Sequence, residues 1–159
     1  MCIRDRAYNL EADGFTTPDL TLIAEHVTTG NLIELAYTRS PDSLVWALLE
    51  TGELRCLTYE REQDVVAWHR HVIGGTNVKV KSIAAIPSFD ELQEQLYMVV
   101  ERTINGSTKQ YVEFLEEAFD QAKGMVPADA FFVDCGLSYS GSGVSSLSGL
   151  DHLEGETVK

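Results

Sequence analysis

The residues best suited to chemistry in this chain are His69 and His71, two positions apart in Val65-Val66-Ala67-Trp68-His69-Arg70-His71. On an extended strand, side chains at i and i+2 share a face, so two imidazoles placed this way suit a metal ion if a third donor joins them. No cysteine or carboxylate has a matching spacing on a neighbouring element. The pair is therefore read as rim residues of a β-blade, with at most a weak pH sensitivity if assembly buries them. A serine-rich run near the C-terminus invites a search for a nucleophile. Gly136-Leu137-Ser138-Tyr139-Ser140 misses the nucleophile-elbow pattern at its last position, and only His152 follows it as a base. Gly141-Ser142-Gly143 lacks the third glycine and the helix of a phosphate-binding loop. Both read as flexible loop. Carboxylates cluster at Glu60, Glu62 and Asp64 and again at Glu113, Glu116, Glu117 and Asp120, but no aromatic cleft of the kind a glycosidase needs accompanies them. Trp46 and Trp68 lie among aliphatic residues and read as packing rather than as a sugar platform. No residue is assigned a catalytic, cofactor-binding or metal-binding role.

Composition narrows the classes further. The 159 residues, 44% hydrophobic and 23% charged, have a globular balance and suffice for one ordinary core. The net charge of −13 leaves no broad basic surface to neutralise phosphates, which disfavours tight binding to nucleic acid or anionic lipid. Three cysteines, Cys2, Cys56 and Cys135, make an odd count without CxxC spacing, so neither a disulfide framework nor a zinc site is expected. Cys56 falls in a strand-like run, where cysteine usually acts as a small buried hydrophobe. No signal-peptide pattern and no apolar run of about 18 residues is present, so no membrane segment is expected and synthesis is read as cytosolic.

The elements that would position these residues are mostly short strands. Residues 1–14 are read as a leader, with Met1 to Arg6 suspect as protein sequence. From Phe15 to Tyr37, Thr16 or Thr17 caps a short helix with Pro18 in its first turn, Leu20, Ile23, Ala24 and Val27 follow at helical spacing, and Gly30 ends it. Strands are predicted at Leu32 to Tyr37, Leu44 to Leu49, Leu54 to Tyr59 and Val65 to His71, the last three as consecutive antiparallel partners. Leu44 to Leu49 is apolar on both faces, as in a strand covered by neighbouring blades. Trp46, Leu48, Leu57 and Trp68 are the expected core. After Gly74-Gly75, the residues Val78, Val80 and Ser82 alternate with Lys79, Lys81 and Ile83 as in a half-exposed outer strand. Leu96 to Arg102 and Lys109 to Leu115 flank Asn105-Gly106, a strong hairpin signal.

A repeat emerges. VWALLETGELRCLTYE and LYMVVERTINGSTKQYVEFLE share an aromatic in an apolar strand, a glycine turn and a returning strand with tyrosine, and Gly52 and Gly106 are 54 residues apart. That period fits four-stranded propeller blades. The fold class expected is thus mainly β: antiparallel blade-like hairpins of a β-propeller-type domain over residues 15–120, about two blades. Residues 121–159 are expected to be a Ser/Gly-rich linker, with a strand at Phe131 to Cys135, and the truncated start of a second small β module from Gly155.

SPDSLVWALLETGELRCLTYEREQDVVAWHRHVIGG, then VVERTINGSTKQYVEFLE and FFVDCGLSYSGSGVSSLSGLDHLEGETV, resembles the tail nozzle or tail-stabilisation proteins of short-tailed, podovirus-like bacteriophages. The resemblance runs over most of residues 18–159. Its pieces are the RSPD turn at Arg39 to Asp42, the strand with Trp46 and Ala47, LTYEREQDVVAWHRH and the ERTING hairpin at Glu101 to Gly106. It implies a structural virion component without catalysis or cofactor. Such a subunit forms a homo-oligomeric ring, expected to be a hexamer, that follows portal and adaptor proteins in the phage tail. DNA passes through its channel without specific binding. It also implies that these residues are a fragment of a longer protein. The alternative is a carbohydrate-binding or glycoside-hydrolysing β-propeller module.

Overall fold

The computed structural model describes residues 1–89, 93–127, 139–153 and 155. The first elements form a small hairpin, β1 (Ala7–Asn9) with β2 (Gly14–Thr16). Tyr8 packs edge-on against Phe15, and the Arg6 guanidinium lies over the Phe15 ring at 4.3 Å. Thr16 is thus a strand residue, not a helix cap. The helical stretch starts only at Leu22, as a 3-10 turn over Leu22–Ala24 followed by α1 (Glu25–Thr28). The segment before it is pinned to the N-terminus and turns at Leu20 and Thr21: Leu20 N–H donates to the Ile3 carbonyl at 2.9 Å, and the Asp19 carboxylate accepts from the Thr21 N–H and hydroxyl at 2.9 and 2.6 Å.

Four strands then run as an antiparallel meander: β3 (Leu32–Thr38), β4 (Leu44–Leu49), β5 (Leu54–Glu60) and β6 (Val65–His71). The registers follow from apolar alternation and from the turns, with Trp46 opposite Cys56 and Cys56 opposite His69. The β3–β4 turn contains a cis Ser40-Pro41 bond. The predicted antiparallel partnership of the last three strands is what is observed.

The second sheet has three strands, β7 (Lys79–Pro87), β8 (Glu94–Ile104) and β9 (Ser107–Phe114). Asn105 and Gly106 both take left-handed φ values, 50° and 70°, in a two-residue turn. Such a turn matches the strand twist, and Asn-Gly tolerates it best. In β7 the expected alternation breaks. A register shift between Val80 and Ser82 puts Val80 and Ile83 together on the buried side, with Lys79 and Lys81 outside.

The sheets pack face to face. Trp46, Leu48, Leu54 and Cys56 of the first meet Val80, Ile83, Leu96, Met98 and Val100 of the second. β3 meets β7 at one edge, where the Glu34 carboxylate accepts from the Ile83 N–H at 2.7 Å and from the Ser82 hydroxyl at 3.1 Å. A backbone donor on the outermost strand is thereby satisfied. The β4–β5 turn rests on β7, where Val80 N–H donates to the Gly52 carbonyl at 2.9 Å. Gly52 has φ 86°, and a Cβ on it would lie 2.7 Å from that of Lys79, so the contact admits only glycine.

The other face of the four-stranded sheet is covered by the N-terminal segment. Arg55 Nε donates to the Val27 carbonyl, Trp68 Nε1 to the Leu20 carbonyl and the Tyr59 hydroxyl to Asp5. The strand Leu44–Leu49 is therefore covered on both sides, by a sheet and by the N-terminal turns. Trp46, Leu48 and Leu57 are buried as expected. Trp68 is only half-buried, because the covering segment crosses just part of its ring on the outer strand β6.

The two hairpins expected to repeat are not identical. The β4–β5 connection runs through Glu50 to Glu53 and the β8–β9 connection through two residues. The described residues form antiparallel sheets of four and three strands besides the small hairpin, with no closed ring of blades. The strand expected at Phe131 to Cys135 and the continuation after Gly155 lie outside the described residues.

Candidate functional site

Where β6 runs beside β5, three soft or borderline donors converge. His69 and His71 share one face, and Cys56 stands directly across from His69. One donor atom from each lies within 4.8 Å of the other two. The expectation that no cysteine is placed to join the histidines is thus corrected. Its signal was present in the register: the turn that pairs Glu60 with Val65 pairs Cys56 with His69, four residues further along each strand.

The cluster is tightly framed. The imidazole rings lie 4.9 Å apart, and His71 packs at 4.9 Å against Trp46, whose Nε1–H donates to Thr38 Oγ1 at 3.1 Å. His69 Nε2 and Thr58 Oγ1 are 3.4 Å apart. Burial pushes the Cys56 thiol up to about 12, and burial also lowers the pKa of His69, since both charged forms lose hydration there.

Above the histidines opens a cavity of about 350 Å³ between the sheets. Thr38, Trp46, His69 and His71 form one wall; Glu94, Leu96, Leu115 and the stretch from Glu116 to Asp120 form the other. Glu94 is fixed there, its N–H donating to the Ser40 carbonyl at 2.9 Å and its carboxylate accepting from the Arg39 N–H at 2.5 Å. Glu116, Glu117 and Asp120 line this cavity, with Glu116 exposed and Glu117 and Asp120 partly buried.

Glu113 has a different duty. It holds Arg102 in a two-pronged ion pair, Nε to Oε1 at 2.6 Å and Nη2 to Oε2 at 2.7 Å. Arg102 Nη1 also donates to the carbonyls of Gly74 and His152, which ties the C-terminal turn Asp151–Leu153 to the second sheet. Gly75, with φ 114°, makes room for it, since a Cβ there would lie 2.9 Å from Nη1. Glu62 and Asp64 are exposed at the β5–β6 turn. Of the serine-rich run, Tyr139 to Gly149 is exposed chain, in which the Tyr139 hydroxyl donates to the Ser142 carbonyl. Ser138 lies outside the described residues.

A second kind of surface is open. On the outward face of the second sheet, Tyr97 packs against Phe114 at 5.6 Å, beside Val112, which is 74% exposed, and Ile86. On the outward face of the first sheet, along its edge strand β3, Leu35 and Tyr37 are about half exposed. Because the sheets meet through their inner faces, these patches point in opposite directions. No helix among the described residues is long and apolar enough to cross a membrane. Comparison of the chain with protein-family models and with curated protein sequences gives no match.

Proposed function

We propose that this chain is a structural assembly subunit, of the kind the tail nozzle proteins of short-tailed phages represent, and that it acts by packing against copies of itself in a ring. The observation that carries the reading is the pair of outward apolar patches, Tyr97, Val112 and Phe114 on one side and Leu35 and Tyr37 on the other. A subunit with two different sticky faces pointing apart makes head-to-tail contacts, and such contacts give a ring where the rotation from one subunit to the next closes. The blade-like order of the sheets adds support. Trp46 points from the first sheet onto the second, while Tyr97 and Phe114 point to the open face of the second sheet, where a further blade would pack.

In this reading the sheets are blades of a propeller-like wall in the phage tail, attached to portal and adaptor proteins. The net charge of −13 suits a channel that conducts DNA without holding it. No catalysis belongs to that role. The test is to measure the solution mass of the protein with and without the tail adaptor, and to assay polysaccharide cleavage and duplex-DNA binding in parallel. Concentration-dependent association, binding to the adaptor and no cleavage support the reading. A persistent monomer that ignores the adaptor and cleaves a polysaccharide replaces it with the hydrolytic alternative.

A further inference from the structure

We propose that Cys56, His69 and His71 form a binding site for a borderline divalent transition metal of the zinc class, with one coordination position open to the cavity between the sheets.

The donor set argues for it first. One sulfur and two imidazole nitrogens are the ligands that Zn²⁺ and Co²⁺ take in tetrahedral sites, and they are poor ligands for Ca²⁺ or Mg²⁺. Geometry argues next. The three donors come from two hydrogen-bonded strands, in direct cross-strand register, with their atoms within 4.8 Å of one another. Tetrahedral bonds of ordinary length bring such donors to about 3.5 Å apart, a contraction of about an ångström that side-chain torsions supply without moving the sheet. Trp46 against His71 and Thr58 beside His69 restrict the motion of the two rings.

The surroundings supply a path and the fourth position. His69 and His71 face the cavity, and Asp42, Glu94, Glu116, Glu117 and Asp120 line it with carboxylates. That lining concentrates divalent cations at the entrance. On binding, the Cys56 S–H bond breaks and the S–metal bond forms, and the proton leaves through the cavity to solvent. Three protein donors leave room for one water or one cavity carboxylate. Packing alone explains a buried cysteine or one histidine on a tryptophan. It does not call for three metal-type donors, converging from two strands, at the floor of an acidic cavity.

The experiment titrates the metal-free protein with Co²⁺ and follows the visible and near-ultraviolet spectrum. The expected result is one Co²⁺ per chain, intense tetrahedral d–d bands, a thiolate-to-cobalt charge-transfer band, and displacement of both by Zn²⁺. His69→Gln and His71→Gln each weaken binding by about a hundredfold or more, beyond the loss typical of outer-shell partners. Cys56→Ser removes the charge-transfer band, whereas Cys2→Ser and Cys135→Ser retain it. Circular dichroism certifies that each variant is folded. Should Cys56→Ser prove unfolded, the two histidine variants decide. The proposal is overturned by an absent charge-transfer band, by a band that survives Cys56→Ser, or by unchanged affinity in both folded histidine variants, which would assign the metal to surface groups.

Discussion

Arg102 and Glu113 give the sharpest stability test because their burial is unequal. The Arg102 side chain is 1% exposed and Glu113 is 25% exposed, and the two are joined by a bidentate contact. Glu113→Leu takes the carboxylate away from a guanidinium that cannot lose its proton and that lies inside the protein, against the Gly74 and His152 carbonyls. Breaking a buried pair from this side costs about 3–5 kcal/mol. Arg102→Met leaves a carboxylate that water reaches and two carbonyls without their donor, a loss of about 1–3 kcal/mol. The double variant, which removes both charges and restores apolar volume, is expected to recover most of the Glu113→Leu loss. Urea unfolding followed by tryptophan fluorescence measures all three. The reasoning is refuted if Arg102→Met destabilises more than Glu113→Leu, or if the double variant is worse than either single one.

Trp46→Ala should cost about 3–5 kcal/mol in the same assay, since it empties the centre of the core and removes the bond to Thr38. A loss below that of half-buried Trp68→Ala would contradict the placement of the core. Glu34→Ala, which removes the acceptor of the Ile83 N–H at the sheet junction, is expected to lower stability by about 1–3 kcal/mol, with near-native circular dichroism. The Asp19 carboxyl is held down at about 2, first by the Thr21 hydroxyl and then by the Thr21 N–H. A depressed folded-state pKa stabilises above the ordinary carboxylate value, and that contribution fades as pH falls from about 4 to about 2. The difference in urea midpoint between wild type and Asp19→Ala should therefore shrink across that interval. A constant difference would show that the carboxylate's charge is irrelevant.

Much of the sheet structure was legible because turns and alternation agree locally. Asn105-Gly106 can reverse a chain in few ways, and the apolar runs at Leu44, Leu54 and Val65 have strand length. What escaped the sequence depends on long-range contacts. The short helix begins at Leu22 because residues 3–5 pair with the chain near Pro18 and Leu20. The bulge in β7 turns Ile83 inward because the opposing sheet needs an apolar residue there, which alternation within one strand does not reveal. The Cys56–His69–His71 cluster was missed for a subtler reason. Spacing along the chain does not bring Cys56 near His69, but the hairpin register does.

The central claim, a head-to-tail assembly through two outward patches, is tested most directly by mixing two variants in an analytical ultracentrifuge. Val112→Lys spoils the face of the second sheet and Leu35→Lys spoils the face of the first. Each alone should be folded and monomeric where the wild type associates. Mixed in equal amounts they should form a dimer containing one of each, because one intact face of either kind survives to meet its complement. A wild-type chain that stays monomeric at every concentration, or variants that associate as the wild type does, would contradict the account.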